Sequence, residues 1–173
     1  TVPGALADVD AAMAAFLADN EITAAALGVS KDGHLVAERG YGYADEAETT
    51  PVEPDALFRT ASVTKSPTAA VVRGLVADGD LSLDTPVYPL LDLEPLPDAK
   101  RDPRLDEVTV SHLLDHTGGW DARQTFDPVF ATIRIARAMD LDEPPSTHQI
   151  ARYMLGQPLQ FDPGSEQVYS NFG

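Results

Sequence analysis

The sequence predicts an α+β fold: one helix, one β-hairpin, then a long and mostly helical stretch. Three observations carry this. Leu6, Val9, Met13, Phe16 and Leu17 fall on one helical stripe within residues 5–19. Asp32-Gly33 stands between two apolar runs, a strong short-range signal for a tight β-turn. Beyond residue 58 the apolar residues recur at helical spacing between Gly and Pro breaks. The expected division is residues 1–58, a helix and hairpin, and residues 59–173, a mostly helical region.

Taken in order, Asp19-Asn20 ends the first helix. Ile22 to Ser30 reads as a strand, and the return strand runs from about Leu35 to Tyr43. Residues 44–56 form an acidic loop containing Pro51 and Pro54. A helix follows Ser62, with Val71, Val72, Leu75 and Val76 apolar and Asp78-Gly79 as its stop. Asp84 or Thr85 is expected to cap a short helix with Pro86 in its first turn. Residues 92–107, with Pro95, Pro97 and Pro103, read as loop. Thr109 can cap a helix through Leu113 and Leu114 to about His116, broken by Gly118-Gly119. Asp127-Pro128 starts a longer helix through Phe130, Ile133, Ala136 and Met139. Pro144-Pro145 ends it. Thr147 caps the next, which stops at Gly156. A turn at Phe161-Asp162-Pro163-Gly164 precedes the last stretch, Val168 to Gly173.

Composition sets bounds on function. The chain has 173 residues, 43% apolar and 23% charged, ordinary for a globular domain with a real core. Lys and Arg total 12 against 28 acidic residues, a net charge of −16, which argues against nucleic acid or an anionic membrane as partner. Without cysteine there is no disulfide or thiol chemistry. No apolar run reaches the roughly 18 residues of a membrane span. The first residues show no basic and then apolar leader pattern, and the compartment stays open.

Chemistry concentrates at Ser62-Val63-Thr64-Lys65. If Ser62 opens a helix, Lys65 lies one turn on, on the same face. A serine nucleophile with a lysine partner needs that geometry. A partly desolvated ammonium gives up its proton more readily and can then take one from a hydroxyl. First-turn backbone N–H groups point where negative charge would develop. The bland alternative is an N-cap serine with a surface lysine. A Ser three residues before a Lys arises about once by chance in a chain of this size.

Two further stretches change that balance: Val108-Thr109-Val110-Ser111-His112-Leu113-Leu114-Asp115-His116-Thr117-Gly118-Gly119 and Phe161-Asp162-Pro163-Gly164-Ser165-Glu166-Gln167-Val168-Tyr169-Ser170-Asn171. With Phe58-Arg59-Thr60-Ala61-Ser62-Val63-Thr64-Lys65 they form an ordered set. That set resembles the serine β-lactamase and penicillin-binding-protein superfamily. Within it, the branch of class C β-lactamases, D-alanyl-D-alanine carboxypeptidases, D-aminopeptidases and related esterases is most similar. The resemblance covers nearly the whole chain and implies a β-lactamase/transpeptidase-like fold.

By this resemblance Ser62 is the acylated nucleophile and Lys65 its partner, and Tyr169 and Asn171 match the Tyr-x-Asn motif. A phenol has a pKa near 10, so it needs neighbouring cations before it can act as a base. A tyrosinate beside Ser62 could take its proton and later activate water. Asn171 can donate to a substrate carbonyl and accept from Lys65. Trp120, after the Gly-Gly break, is a candidate for the mouth of the cleft and a substrate contact, or simply a loop anchor.

The sequence departs from the pattern in two places. Pro67 falls in the first turns of the Ser62 helix, where it can distort the backbone. The family's third motif, Lys-Thr-Gly or His-x-Gly on a later strand, is absent, with the rest of the sheet. Lys31-Asp32-Gly33 in the hairpin is no substitute. The chain is therefore expected to be the N-terminal half of a longer enzyme, working with its C-terminal half as a separate or further segment.

Rival chemistry is weaker. His112 and His116 at i, i+4 could share a metal, but no third ligand and no His-Glu-x-x-His pattern is evident. Gly-x-Ser-x-Gly is absent. The expectation is a serine hydrolase working through an acyl-enzyme on a small ester, amide or β-lactam, with no cofactor and no metal. The alternative is a non-catalytic scaffold that recognises ligands or a partner.

Overall fold

The computed structural model describes residues 6–173. The chain falls into two compact units, Thr1–Arg59 and Thr60–Gly173.

In the first unit, helix α1 spans Ala7–Asp19. It lacks a side-chain cap and buries no residue. Of the predicted stripe, Val9, Met13 and Leu17 are half-buried and Phe16 is exposed. The expected start at residue 5 lies outside the described residues. Strands β1, Ala24–Lys31, and β2, His34–Gly42, pair antiparallel as a two-stranded sheet. The turn is made by Asp32 at φ 50° and Gly33 at φ 76°. Positive φ at both central positions matches the right-handed twist of the strands, which is why Asp-Gly signals a hairpin. The register shifts between Val29 and Ser30, so Ala37 faces Val29 while Leu35 faces Ser30. That bulge leaves Val36 as the extra residue. The acidic loop returns onto β2. Val52 is buried, and its carbonyl lies so close to Gly40 that no Cβ would fit there.

The second unit opens with a single 3₁₀ turn, Ala61–Thr64, running directly into α2, Lys65–Asp78. Pro67 sits in the first turn of α2 and does not break it, because the N–H it lacks would have no helical partner there. Gly79, at φ 83°, closes α2 in the left-handed conformation. Helix α3, Val87–Leu91, is entered through Pro86 with no side-chain cap. Neither expected cap acts there; the Thr85 hydroxyl accepts from Ser82 N instead, at 3.1 Å. The predicted loop at 92–107 contains a 3₁₀ turn, Pro103–Glu107, capped by Asp102.

Helix α4, Val110–Leu114, has the predicted Thr109 cap, and His112 completes a reciprocal capping box. The longer helix expected from Asp127 is divided in two. Asp127 caps a 3₁₀ turn at Pro128–Phe130, and α5 follows at Thr132–Ala138 after the non-helical Ala131. Helix α6 spans Thr147–Met154 and is capped by Ser146 with Gln149, one residue earlier than expected. Tyr88, Leu105, Val108, Trp120, Ile135, Tyr153, Met154, Leu155 and Leu159 form the core of this unit. The frame of short helices therefore packs around 88–159 and holds the turns between them.

Candidate active site

The Ser62 side of the site is built from the entry to α2. Ala61 has φ 44°, a left-handed conformation that a residue with a Cβ adopts only under constraint. It presents Ser62 in the 3₁₀ turn rather than at the first position of an α-helix, as the sequence had suggested. In a 3₁₀ turn, residues i and i+3 eclipse, so Ser62 and Lys65 line up along one edge. Ser62 is exposed and Lys65 half-buried. Thr60 and Thr64, at i, i+4, share a hydroxyl–hydroxyl bond of 2.7 Å across the same turn.

The opposite side is an extended segment, 168–171, held by the helical frame. The left-handed His116, at φ 57°, turns the chain after α4. Its carbonyl accepts from Val168 N at 2.9 Å, and its Nδ1 accepts from Ser170 N at 3.3 Å. Its ring lies tilted against that of Tyr169, centroids 4.8 Å apart. Upstream, Arg104 ties the turn to the frame by donating to Asp162 at 2.8 Å and to the Leu159 carbonyl at 2.9 Å. The Asp102 carboxylate accepts from Arg104 and from Leu159 N, and those bonds hold it at about 2. Downstream, the buried Ser170 hydroxyl accepts from Phe172 N and Gly173 N. Tyr169 is thus fixed through its backbone on both sides while its own side chain stays exposed.

The two sides meet through side chains. The Ser62 hydroxyl is hydrogen-bonded to the Tyr169 hydroxyl. Lys65 Nζ donates to Asn171 Oδ1 at 2.8 Å and lies 4.9 Å from the centroid of the Tyr169 ring. Tyr169 donates to the same Asn171 oxygen at 3.0 Å. Asn171 Nδ2 donates to Asp127 Oδ2 at 2.7 Å, which leaves one amide N–H for anything else. The Tyr169 phenol is pulled below its ordinary value, chiefly by the hydrogen bond from Ser62. Hydrogen bonding and charge from Lys65 pull the same way, and Asp127 opposes them. The arrangement can therefore move a proton from a hydroxyl to a phenol oxygen while an ammonium stands by.

Of the residues singled out in the sequence, Ser62, Lys65, Tyr169 and Asn171 come together. Trp120 does not join their hydrogen bonds. It is 6% exposed, packs edge-on against Phe172 at 4.9 Å, and its indole N–H is buried without a partner among the described residues. It borders an apolar pocket of about 260 Å³ that Tyr88, Leu113, Ile150 and Asn171 also line. His112 and His116 turn their ring nitrogens to backbone N–H groups, of Thr109 and Ser170. Among the described residues no group of His, Cys, Asp or Glu is arranged to hold a metal. Sequence reasoning passed over the parts played by Asp127 and His116. Asp127-Pro128 was legible as a cap signal, but nothing local to it points to Asn171.

Residues 9–173 match the Beta-lactamase family, and the chain belongs to it. It is 36% identical to the esterase EstB of Burkholderia gladioli over 95% of this chain and 42% of that esterase. Among solved structures it resembles the D-amino acid amidase of Ochrobactrum anthropi SV3, with a TM-score of 0.64 and 26% identity over 96% of this chain and 42% of the amidase. It also resembles a β-lactamase/D-alanine carboxypeptidase of Pseudomonas syringae, with a TM-score of 0.65 and 25% identity over 94% and 40% of the two chains. The fold is thus β-lactamase/transpeptidase-like, and at the level of the family the chain is serine-hydrolase-like. It spans less than half the length of each of these relatives.

Proposed function

We propose that this chain carries the acylation centre of a serine hydrolase acting on a small ester, amide or β-lactam, with an ester as the first substrate to try. The observation that carries this reading is the hydrogen bond between Ser62 and Tyr169 beside the Lys65 ammonium. Tyr169, as phenolate, takes the Ser62 proton as Oγ attacks the substrate carbonyl carbon. The protonated phenol then donates to the departing alcohol or amine, leaving an acyl ester on Ser62. Water then gives a proton to the same phenolate and attacks the acyl carbonyl carbon; the bond to Ser62 Oγ breaks, Oγ takes the proton back from the phenol, and the acid leaves. Lys65 favours the phenolate by hydrogen bonding and charge. The remaining Asn171 N–H is available to a substrate carbonyl. The ester preference leans on the likeness to EstB; the likeness to the amidase and the carboxypeptidase keeps amides in the substrate set.

The oxyanion needs a second donor beside the Ser62 N–H, and α2 exposes Val71 and Leu75. The reading therefore includes a further segment that covers this surface and brings a donor and a Lys or His to Ser62. A missing oxyanion donor typically costs about 10²–10³ in kcat. The test is incubation with an activated ester and with a serine-directed phosphonate, followed by intact mass and peptide mapping. A covalent adduct on Ser62, absent in Ser62→Ala, is the expected result. A binding scaffold without catalysis would give ligand retention but no adduct and no turnover.

A further inference from the structure

Asp127 enters the site from outside every motif named above. It precedes Pro128, and one carboxylate oxygen caps the 3₁₀ turn by accepting from Val129 N at 3.0 Å. The other oxygen accepts from Asn171 Nδ2 at 2.7 Å, a contact spanning 44 positions in the chain. We propose that Asp127 is a positioning residue: it fixes which way round the Asn171 amide sits, and through it the direction of the Tyr169 hydroxyl proton. This rests on the reading of Tyr169 as the base for Ser62.

The argument is one of donors and acceptors. A carboxylate only accepts, so the amide face turned toward Asp127 must be its NH₂. The opposite face is then the carbonyl, and the Lys65 ammonium, which only donates, meets an acceptor there at 2.8 Å. A rotated amide would set carbonyl against carboxylate and NH₂ against ammonium, so both neighbours reject it. With Oδ1 fixed, the neutral Tyr169 hydroxyl has an acceptor at 3.0 Å for its own proton. Its oxygen lone pairs are left to Ser62, whose proton then points at the oxygen that takes it once the phenol has ionised. Without Asp127 only Lys65 still opposes the rotated amide, and its NH₂ can turn toward Tyr169 more often. The phenol would then lose the acceptor that directs its proton away from Ser62. The Asp127 charge also opposes the phenolate, so its removal lowers the Tyr169 pKa further.

The experiment compares wild type, Asp127→Asn and Asp127→Ser in the enzyme form that turns over an activated ester, with Ser62→Ala as control. Both Asn and Ser are good cap residues, so the 3₁₀ turn keeps its start. Neither can offer an acceptor to Val129 N and a second, amide-orienting acceptor to Asn171 as a carboxylate does. Active sites are counted by phosphonate labelling, so a misfolded fraction drops out of the rate. The expected result is a fall in kcat per labelled site of about tenfold or more with KM within about threefold. The rising limb of the pH–rate profile moves to lower pH, because the Asp127 charge no longer opposes the phenolate. A kcat within about twofold of wild type, or an unmoved limb, overturns the proposal. Full turnover in Ser62→Ala would instead overturn the serine mechanism itself, so the two failures are separable.

Discussion

Within the second unit, the segment carrying Ser62 and Lys65 and the segment carrying Tyr169 and Asn171 are built in opposite ways. Helix α2 buries no residue, and Val71 is 64% exposed. The frame from Tyr88 to Leu159 buries Leu105, Val108, Ile135 and Leu155 almost completely. Ser62 and Lys65 therefore ride on an element with little packing of its own, while Tyr169 and Asn171 hang from a well-packed scaffold. The two halves are aligned by polar contacts: Ser62 with Tyr169, and Lys65 with Asn171. Such bonds are directional and specify one geometry, but each adds only about 1 kcal/mol net. Apolar burial supplies the larger and less directional share.

This contrast predicts a graded set of effects. The largest belongs to chemistry. Tyr169→Phe should lower kcat by about 10²–10⁴ while lowering the melting temperature by only a few degrees, because the hydroxyl bonds it loses each contribute only modestly to net stability. A variant that keeps its turnover would remove Tyr169 from the role of base. Next comes the frame. Ile135→Ala empties a fully buried site on α5 and should cost about 2–5 kcal/mol in chemical denaturation. A loss below about 1 kcal/mol would show that the frame is looser than its burial implies.

A smaller effect, visible only in acid, belongs to the tie upstream of Tyr169. Asp102 is held at about 2 against an ordinary 3.8 by its bonds to Arg104 and to Leu159 N. Its folded pKa is depressed, so the stabilisation is complete above about pH 4 and disappears as pH falls toward 2. Asp102→Asn should therefore sit about 2 kcal/mol below wild type at pH 6 and converge on it near pH 2. Parallel curves across that range would mean that the charge is not what holds the turn. The smallest effect should come from α2. Val71→Ala removes apolar surface already in water and should change stability by less than about 0.5 kcal/mol in this chain. A cost above about 1.5 kcal/mol in a longer or assembled form would reveal that another segment covers α2 there.

Much of the architecture was legible wherever a local rule decides the backbone. Asp32-Gly33 specified the hairpin because its turn demands positive φ at both positions. Gly79 marked the end of α2 for the same reason, and Thr109 marked the start of α4 because its hydroxyl meets an orphan N–H. That Ser62 and Lys65 lie one turn apart was legible as spacing alone. Other boundaries slipped by a residue or more. Ser146 rather than Thr147 caps α6, and Ala131 divides the helix expected after Asp127, since adjacent residues offered nearly equivalent local solutions.

What the sequence determined, then, was the set of turns, caps and reactive side-chain types, because these depend on a few neighbouring φ/ψ angles and on residue chemistry. Tertiary structure decided which of them meet. Tyr169 reaches Ser62 across 107 positions, Asn171 reaches Asp127 across 44, and His116 brackets Tyr169 from the end of α4. No local pattern encodes those meetings. They exist because the packed frame closes long stretches of chain on themselves, an entropic cost met by the burial of Leu105, Ile135 and their neighbours far from any reacting atom.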